Sequence, residues 1–434
     1  MLLSSTTRAG RGKAFWFTDR NRTRELETKH SRALRHLLNA YMHTTHICPN
    51  CLVGSMDVFH RVERVPVHSV LLMPSRQMAV NYPRADIALG FCNACGFISN
   101  TVFDAGMHEY STQYEETQGF SATFREFHAR LASSLIEEYD LHGKRIVEIG
   151  CGKGEFLSLL CQLGGNTGIG FDPAFVKHRN PAPDNSKIDF IADFYSEKYA
   201  HVPADFFCSK MTLEHIPNTA HFIRMVRRAI GDNPRATMFF QVPDVVRVLK
   251  DVAFWDIYYE HCSYFCAGSL ERVCREAGFE VLDTWTDYDN QYLMITARPS
   301  VQPTEPSQVE KDAPGIVKRA IREFLANQDA GIEHWKTELD QLTKAGKRAV
   351  VWGSGSKGVA FLTRLDLAGQ IEYVVDINPY RQGKFMAGTG QEIVGPEFLR
   401  TYRPNMAIAM NPVYQSEIRA DLERMGLETN VVAV

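Results

Sequence analysis

The sequence predicts an α/β chain with two separate strand–glycine loop–helix units and a small metal-binding module ahead of them. Three observations carry this. RIVEIGCGKGEFLSLL and RAVVWGSGSKGVAFL each run from a β-type segment through clustered glycines into helical spacing. Upstream, four of the ten cysteines fall in two Cys-x-x-Cys pairs, while the other six are scattered singly.

At 434 residues the chain is long enough for two or three domains, each with a core of its own. A hydrophobic content of 44% and a charged content of 23% are ordinary for a globular protein. The net charge of −3 gives no electrostatic reason to expect nucleic acid. No apolar run reaches transmembrane length, and the opening MLLSSTTRAGRGKAF lacks the apolar centre of a signal peptide. The expectation is a cytoplasmic protein with a small-molecule substrate and no membrane partner; the oligomeric state is not legible. Residues 1–45 carry nine Lys and Arg against three Asp and Glu. They read as a partly disordered basic tail with a short helix near LETKHSRALRHLLNAYM.

Thiols in a reducing compartment serve more often as metal ligands than as disulfides. Cys48-Pro-Asn-Cys51 and Cys92-Asn-Ala-Cys95 offer four thiolates, a shell that suits tetrahedral Zn²⁺ and fills every position. The site is therefore expected to be structural, in a module over residues 46–105. A domain over 106–300, a Pro-rich linker with a connecting helix over 301–345, and a second domain over 346–434 complete the division.

In the first glycine loop, Glu148 precedes Gly150, Gly152 and Gly154, and the next strand, NTGIGFD, ends in Asp172. Glycines let the backbone pass close to a ligand, and the acid suits a ribose diol. This E-x-G-x-G-x-G plan resembles the cofactor site of class I methyltransferases, which bind S-adenosylmethionine (SAM). The resemblance places an adenine contact at Asp193, after IDFIA, and an active-site loop in SKMTLEHIPN.

The second loop holds Gly353, Gly355, Lys357 and Gly358, and the following strand IEYVVD ends at Asp376. Three readings stay open: a dinucleotide site, a Rossmann-like domain whose helix N-terminus receives another phosphate such as a nucleoside diphosphate, or the fold alone.

FWDIYYEHCSYF, residues 254–265, is unusual, because it crowds aromatic rings around Glu260 and His261. With the cysteine pairs, the first loop, VVWGSGSKG, YVVDINPYRQGKFMAGTG and MNPVYQSEI, it occurs in an order that resembles the sugar C-methyltransferase family. The similarity runs from about Cys48 to the C-terminus. It implies a zinc-binding module, a Rossmann-type class I methyltransferase domain and a second Rossmann-like domain. It also implies methylation of a carbon next to a ketone, on a nucleoside-diphosphate keto sugar or a related metabolite. The family's base, the last residue of a Tyr-x-Glu-His segment, maps to His261, with Tyr258, Glu260 and His215 as companions. Tyr110 or Tyr114 is expected to reach the substrate. The chain departs from the family at Tyr259, where many members carry a second His, and in VPVHSVLLMPSRQMA and HEYSTQYEETQGFSATF. N- or O-methylation of another small molecule is the alternative.

Overall fold

The computed structural model describes residues 46–107, 113–180, 187–367 and 369–434. The basic N-terminal stretch, its expected helix and Tyr110 lie outside the described residues.

Four antiparallel strands open the described chain: β1 (His46–Ile47), β2 (Ser55–Pro66), β3 (Arg84–Cys92) and β4 (Ile98–Asn100). Along β2, Met56, His60, Val62 and Val65 turn inward between exposed Asp57, Arg61 and Glu63. Such alternation pins the register of a half-buried strand.

The central sheet is built from β5 (Arg145–Ile149), β6 (Thr167–Phe171), β7 (Ile188–Ile191), β8 (Phe206–Lys210) and β9 (Thr237–Pro243). After β10 (Ser263–Tyr264) come β11 (Phe279–Asp287) and β12 (Tyr292–Pro299), which close one edge antiparallel. The order is β11-β12-β9-β8-β5-β6-β7, with the five strands β5 to β9 parallel. Strand order therefore reverses beside β5, where an open α/β sheet leaves a crevice at its carboxyl edge. Gly150, the first residue of that crevice, has φ +71°, and a Cβ there would lie 2.0 Å from Thr212 Oγ1. Both the conformation and the contact require glycine.

β10 does not join this sheet. Ser263 pairs with Ser99 and Tyr264 with Ile98, so the aromatic stretch extends the N-terminal sheet instead.

The Pro-rich segment after residue 299 differs from the expected linker. Its second half is already helical, in a 37-residue helix Gln308–Lys344 that contains Pro314. A proline inside a helix gives up one backbone hydrogen bond. Tertiary contacts offset that loss here. Ser307 caps the first turn, Glu310 pairs with Arg275 at 2.8 Å, and Ala313 packs against Gly96 and Gly268.

The last sheet is wholly parallel: β13 (Ala349–Trp352), β14 (Ile371–Val375), β15 (Glu392–Val394), β16 (Met406–Ala409) and β17 (Asn430–Ala433), in the order β15-β14-β13-β16-β17. The two glycine-loop sheets and the cysteine-rich module together give the α/β class that the sequence predicts.

One apolar core runs through all three parts. It joins Val62 and Ile87 of the first sheet to Phe254 and Ile257 of the aromatic stretch, Phe324 of the long helix, and Phe361 and Ile408 of the last domain. Polar contacts reinforce it. Phe385 N–H donates to Met73 O at 3.0 Å, and Glu417 accepts from Ser121 Oγ at 2.6 Å and from Thr123 Oγ1 at 2.9 Å, across the two glycine-loop domains.

Candidate active site

A cavity of about 650 Å³ lies where these parts meet, and both glycine loops open onto it.

The first loop is shaped by two acids and a lysine. Glu148, buried at the end of β5, accepts from the N–H of Leu157, and burial pushes its carboxyl up to about 8. Asp172 accepts from Gly152 N–H at 2.8 Å and from Ala174 N–H at 2.7 Å, which fixes it at the tip of β6. Burial raises its carboxyl as well. Lys153, 2% exposed, donates to the carbonyls of Tyr114 and Ala174, each at 2.9 Å, and lies 3.4 Å from Glu116. It thereby ties the segment entering the domain to the loop. Sequence reasoning missed Lys153, although a lysine inside a glycine loop was there to be read.

Asp193 is placed apart from these residues. Its carboxylate accepts from Tyr199 Oη at 2.6 Å, Lys198 Nζ at 3.1 Å and Phe194 N–H at 2.9 Å, while its neighbours Phe194 and Tyr195 line the cavity.

Pairing of β10 with β4 explains the crowded rings of residues 254–265. Phe254, Trp255 and Phe265 fill the core. Tyr259 is buried and its hydroxyl takes the N–H of Asp104 at 2.9 Å. Tyr258 and His261 face the cavity instead. The Tyr258 hydroxyl lies 3.0 Å from His261 Nε2, and burial holds that phenol well above its ordinary range. Burial, then the nearby His215 ring and Lys357, holds the His261 imidazole well below its usual value. His215 packs edge-on at 4.9 Å between ring centroids, and burial lowers it to about 4. Both rings are therefore neutral at physiological pH.

Glu260 turns elsewhere. Its carboxylate accepts from the N–H of Ser69 at 2.9 Å and from the Ser69 hydroxyl, and lies 3.5 Å from His68 Nδ1. Burial opposes its charge, but the contacts to His68 and Ser69 outweigh it and hold the carboxyl below the usual range. Ser69 in turn lies 2.7 Å from Ser356 Oγ, so Glu260 joins all three parts of the protein. Tyr114 lines the cavity, bridged through its backbone to Leu71. Glu214, which sequence reasoning passed over, sits 3.9 Å from His261 Nε2.

At the opposite wall, Gly353 takes φ +113°, and Gly358 packs so tightly that a Cβ would lie 2.4 Å from Gly353 O. Gly355 caps the helix Ser356–Leu365 and has open space before it. Asp376 accepts from Ser354 N–H at 2.9 Å, Ser354 Oγ at 2.5 Å and Asn378 N–H at 2.8 Å. Its carboxylate thus closes its own loop, where a dinucleotide site would offer it to a ribose. Lys357 reaches across to Gln291 Oε1 at 2.9 Å and Asp256 at 3.3 Å.

The four cysteines converge although the pairs lie far apart in sequence. Cys48 Sγ is 3.7 Å from Cys95 Sγ, Cys51 Sγ is 3.7 Å from Cys92 Sγ, and all four sulfurs lie within 4.8 Å of one another in buried positions. A tetrahedron with metal–sulfur bonds of about 2.3 Å has edges of about 3.8 Å, so the set fits a metal ion.

Two stretches of the chain match known families. Residues 120–284 match a family described as a methyltransferase domain, and residues 307–431 match one described as the C-methyltransferase C-terminal domain. The chain is 28% identical over 328 residues to the C-methyltransferase NovU of Streptomyces niveus, covering 69% of this chain and 74% of that one. Among solved structures, the dimethyltransferase RosA of Streptomyces davawensis is 19% identical, with 41% of this chain and 56% of RosA covered and a TM-score of 0.33. An N1-methyltransferase of Burkholderia thailandensis, solved with S-adenosylhomocysteine, is 15% identical over 42% of this chain and 82% of its own, with a TM-score of 0.32. The match to RosA thus spans little more than half of that protein's length.

Proposed function

We propose that this chain is a SAM-dependent methyltransferase of the C-methyltransferase family that methylates a carbon next to a ketone with His261 as general base. The observation that carries this reading is a neutral imidazole, oriented by Tyr258, facing the same cavity as the Gly150–Gly154 loop.

Glu148, Asp172 and the three glycines hold SAM at the crevice, and Asp193 backs the wall formed by Phe194 and Tyr195. When bound, SAM supplies a methyl group already activated by its sulfonium, so the protein has only to align the acceptor. The acceptor's carbonyl acidifies the neighbouring C–H, and His261 Nε2 takes that proton. General-base help of this kind contributes about 10²–10⁴ in rate. Tyr258 holds the ring in line, His215 supports it from the side, and Tyr114 bounds the acceptor. Glu260 acts at a distance, by fixing the backbone of the base.

The acceptor class is a nucleoside-diphosphate keto sugar. Its diphosphate rests on the N-terminus of the helix Ser356–Leu365, where Gly353, Gly355 and Gly358 bring backbone N–H groups close and Lys357 adds charge. The four cysteines hold Zn²⁺ in a structural role, since four protein ligands leave no position for chemistry. Among the described residues, no helix is long and apolar enough to cross a membrane. Ten free, buried cysteines fit a reducing cytoplasm.

His261→Ala tests the reading. Turnover should fall by about 10³-fold or more while SAM affinity by calorimetry stays within about threefold. A near-normal rate would refute the general-base role.

A further inference from the structure

We propose that Glu214 is a further catalytic residue, a neutral carboxylic acid that donates a hydrogen bond to the enolate oxygen of the acceptor. This rests on the C-methylation reading above.

Glu214 lies in the turn Leu213–His215 that follows β8, and it lines the cavity. It is 1% exposed, and neither carboxyl oxygen has a hydrogen-bond partner among the described residues. Buried polar groups in folded proteins are nearly always paired, so a carboxyl left open toward a cavity points to a partner on the ligand. Its backbone is anchored, with Cys262 Sγ donating to Glu214 O at 3.6 Å.

Position identifies the partner. Glu214 Oε1 is 3.9 Å from His261 Nε2. In a ketone, the oxygen and the α-carbon are about 2.4 Å apart, given bonds of about 1.2 and 1.5 Å. A base and a donor separated as these two are can therefore serve the α-hydrogen and the oxygen of one acceptor. His261 accepts the α-proton, the C–H electron pair becomes the enolate C=C bond, and the charge gathers on the oxygen that Glu214 meets. Glu214 keeps its proton throughout. The enolate C=C pair then forms the new C–C bond to the methyl carbon of bound SAM, the S–CH₃ bond breaking with its electrons to sulfur so that S-adenosylhomocysteine leaves. The carbonyl returns and His261 releases its proton to solvent.

Charge agrees with this role. The titratable groups facing Glu214 are His261, His215, Tyr258, Tyr292 and Cys262, all neutral near pH 7, and no Lys or Arg pairs with it among the described residues. Burial pushes the carboxyl up to about 8, which keeps it protonated and able to donate at neutral pH. The same cluster of Glu214, His215 and His261 is tight enough for a divalent ion.

Infrared difference spectra of the full-length enzyme against Glu214→Gln provide a test that needs no acceptor. A protonated-carboxyl band should be present at neutral pH, absent from the variant, and lost as pH rises past about 8. Absence of that band at neutral pH overturns the proposal. The second arm uses a thymidine-diphosphate keto-deoxyglucose with S-adenosylhomocysteine replacing SAM, and follows loss of α-deuterium to water. Glu214→Leu should slow the exchange about 10²–10³-fold, and Glu214→Gln, which keeps an N–H donor, about tenfold or less. Equal losses in the two variants, with SAM binding intact in both, would overturn the neutral-donor role. A second metal equivalent per chain that vanishes in Glu214→Gln would overturn it as well. A wild-type enzyme that exchanges no label contradicts the C-methylation reading instead, and the infrared band then decides the state of Glu214 by itself.

Discussion

Ser263 pairs with Ser99 across an antiparallel ladder, two residues after His261 and four after Cys95. The cysteine cluster and the base therefore stand at the two ends of one short, hydrogen-bonded path. Removing the zinc proposed for that cluster should loosen the strand that fixes His261. Chelation at neutral pH, or Cys95→Ser, is expected to lower Tm by several degrees and to abolish activity in parallel, as metal content by mass spectrometry falls from one equivalent toward zero. Activity that survives complete metal loss would uncouple the two.

The hydroxyl of Tyr258 is predicted to orient the base. Tyr258→Phe removes one hydrogen bond, worth about 1.4 kcal/mol, and should lower kcat about tenfold with little change in the KM for SAM. Because the folded pKa of His261 is depressed, the ring stays neutral as pH falls, and kcat/KM should show no acid limb near ~6.5, where a free imidazole titrates. An acid limb at that value would mean that the base is solvated.

Stability should follow the same groups. His60 and His215 are lowered to about 4 by burial, His128 to about 2, and His261 well below its usual value. In the unfolded chain all four protonate near ~6.5, so the unfolded state binds more protons as pH falls and stability drops through that range. Urea midpoints should therefore decrease steeply from neutral pH to about pH 5. His128→Gln should flatten that slope, since His128 packs under Lys210 at 2.6 Å and lies away from the base.

Glu214 carries the opposite sign. Its carboxyl titrates at about 8 folded, against 4.5 for an unperturbed glutamate, so folding loses stability as pH rises through that window. Glu214→Gln should therefore raise Tm at neutral pH and leave it nearly unchanged below about pH 4. A variant less stable than wild type at neutral pH would indicate a hidden partner.

Glu417, on the last domain, caps the helix Ala122–Glu138 of the central one by accepting from Ser121 Oγ and the N–H groups of Ala122 and Thr123. Loss of a helix cap costs about 1 kcal/mol. Glu417→Ala should destabilise by roughly that amount and widen the cavity between the domains, read as a raised KM for the acceptor at unchanged SAM affinity.

Much of this architecture was legible because it is local. Strand, glycine loop and helix follow one another within about twenty residues, so the loop that carries Gly150, Gly152 and Gly154, with Asp172 at the end of the next strand, could be read from spacing, as could the two cysteine pairs. What escaped is long-range. Nothing near Ser263 announces a partner at Ser99, and nothing near Pro314 announces that Gly96 and Gly268 will receive the helix around it. Glu260 and Glu214 show the limit most clearly. Adjacency to His261 singled out Glu260, yet its carboxylate faces Ser69 and His68, while Glu214, 47 residues upstream, approaches the ring. Residues 259 and 260 form a turn ahead of β10, with the His261 N–H donating to Tyr258 O, and such a turn sends neighbouring side chains in different directions.

The central claim is proton removal from carbon before methyl transfer, and an acceptor deuterated at the α-carbon tests it most directly. Mass spectrometry of the methylated product should show one deuterium lost per methyl gained, with a slowed rate, and His261→Ala should form product more slowly by about 10³-fold or more. A product that gains its methyl and retains all its label would place the new bond on nitrogen or oxygen and contradict the account.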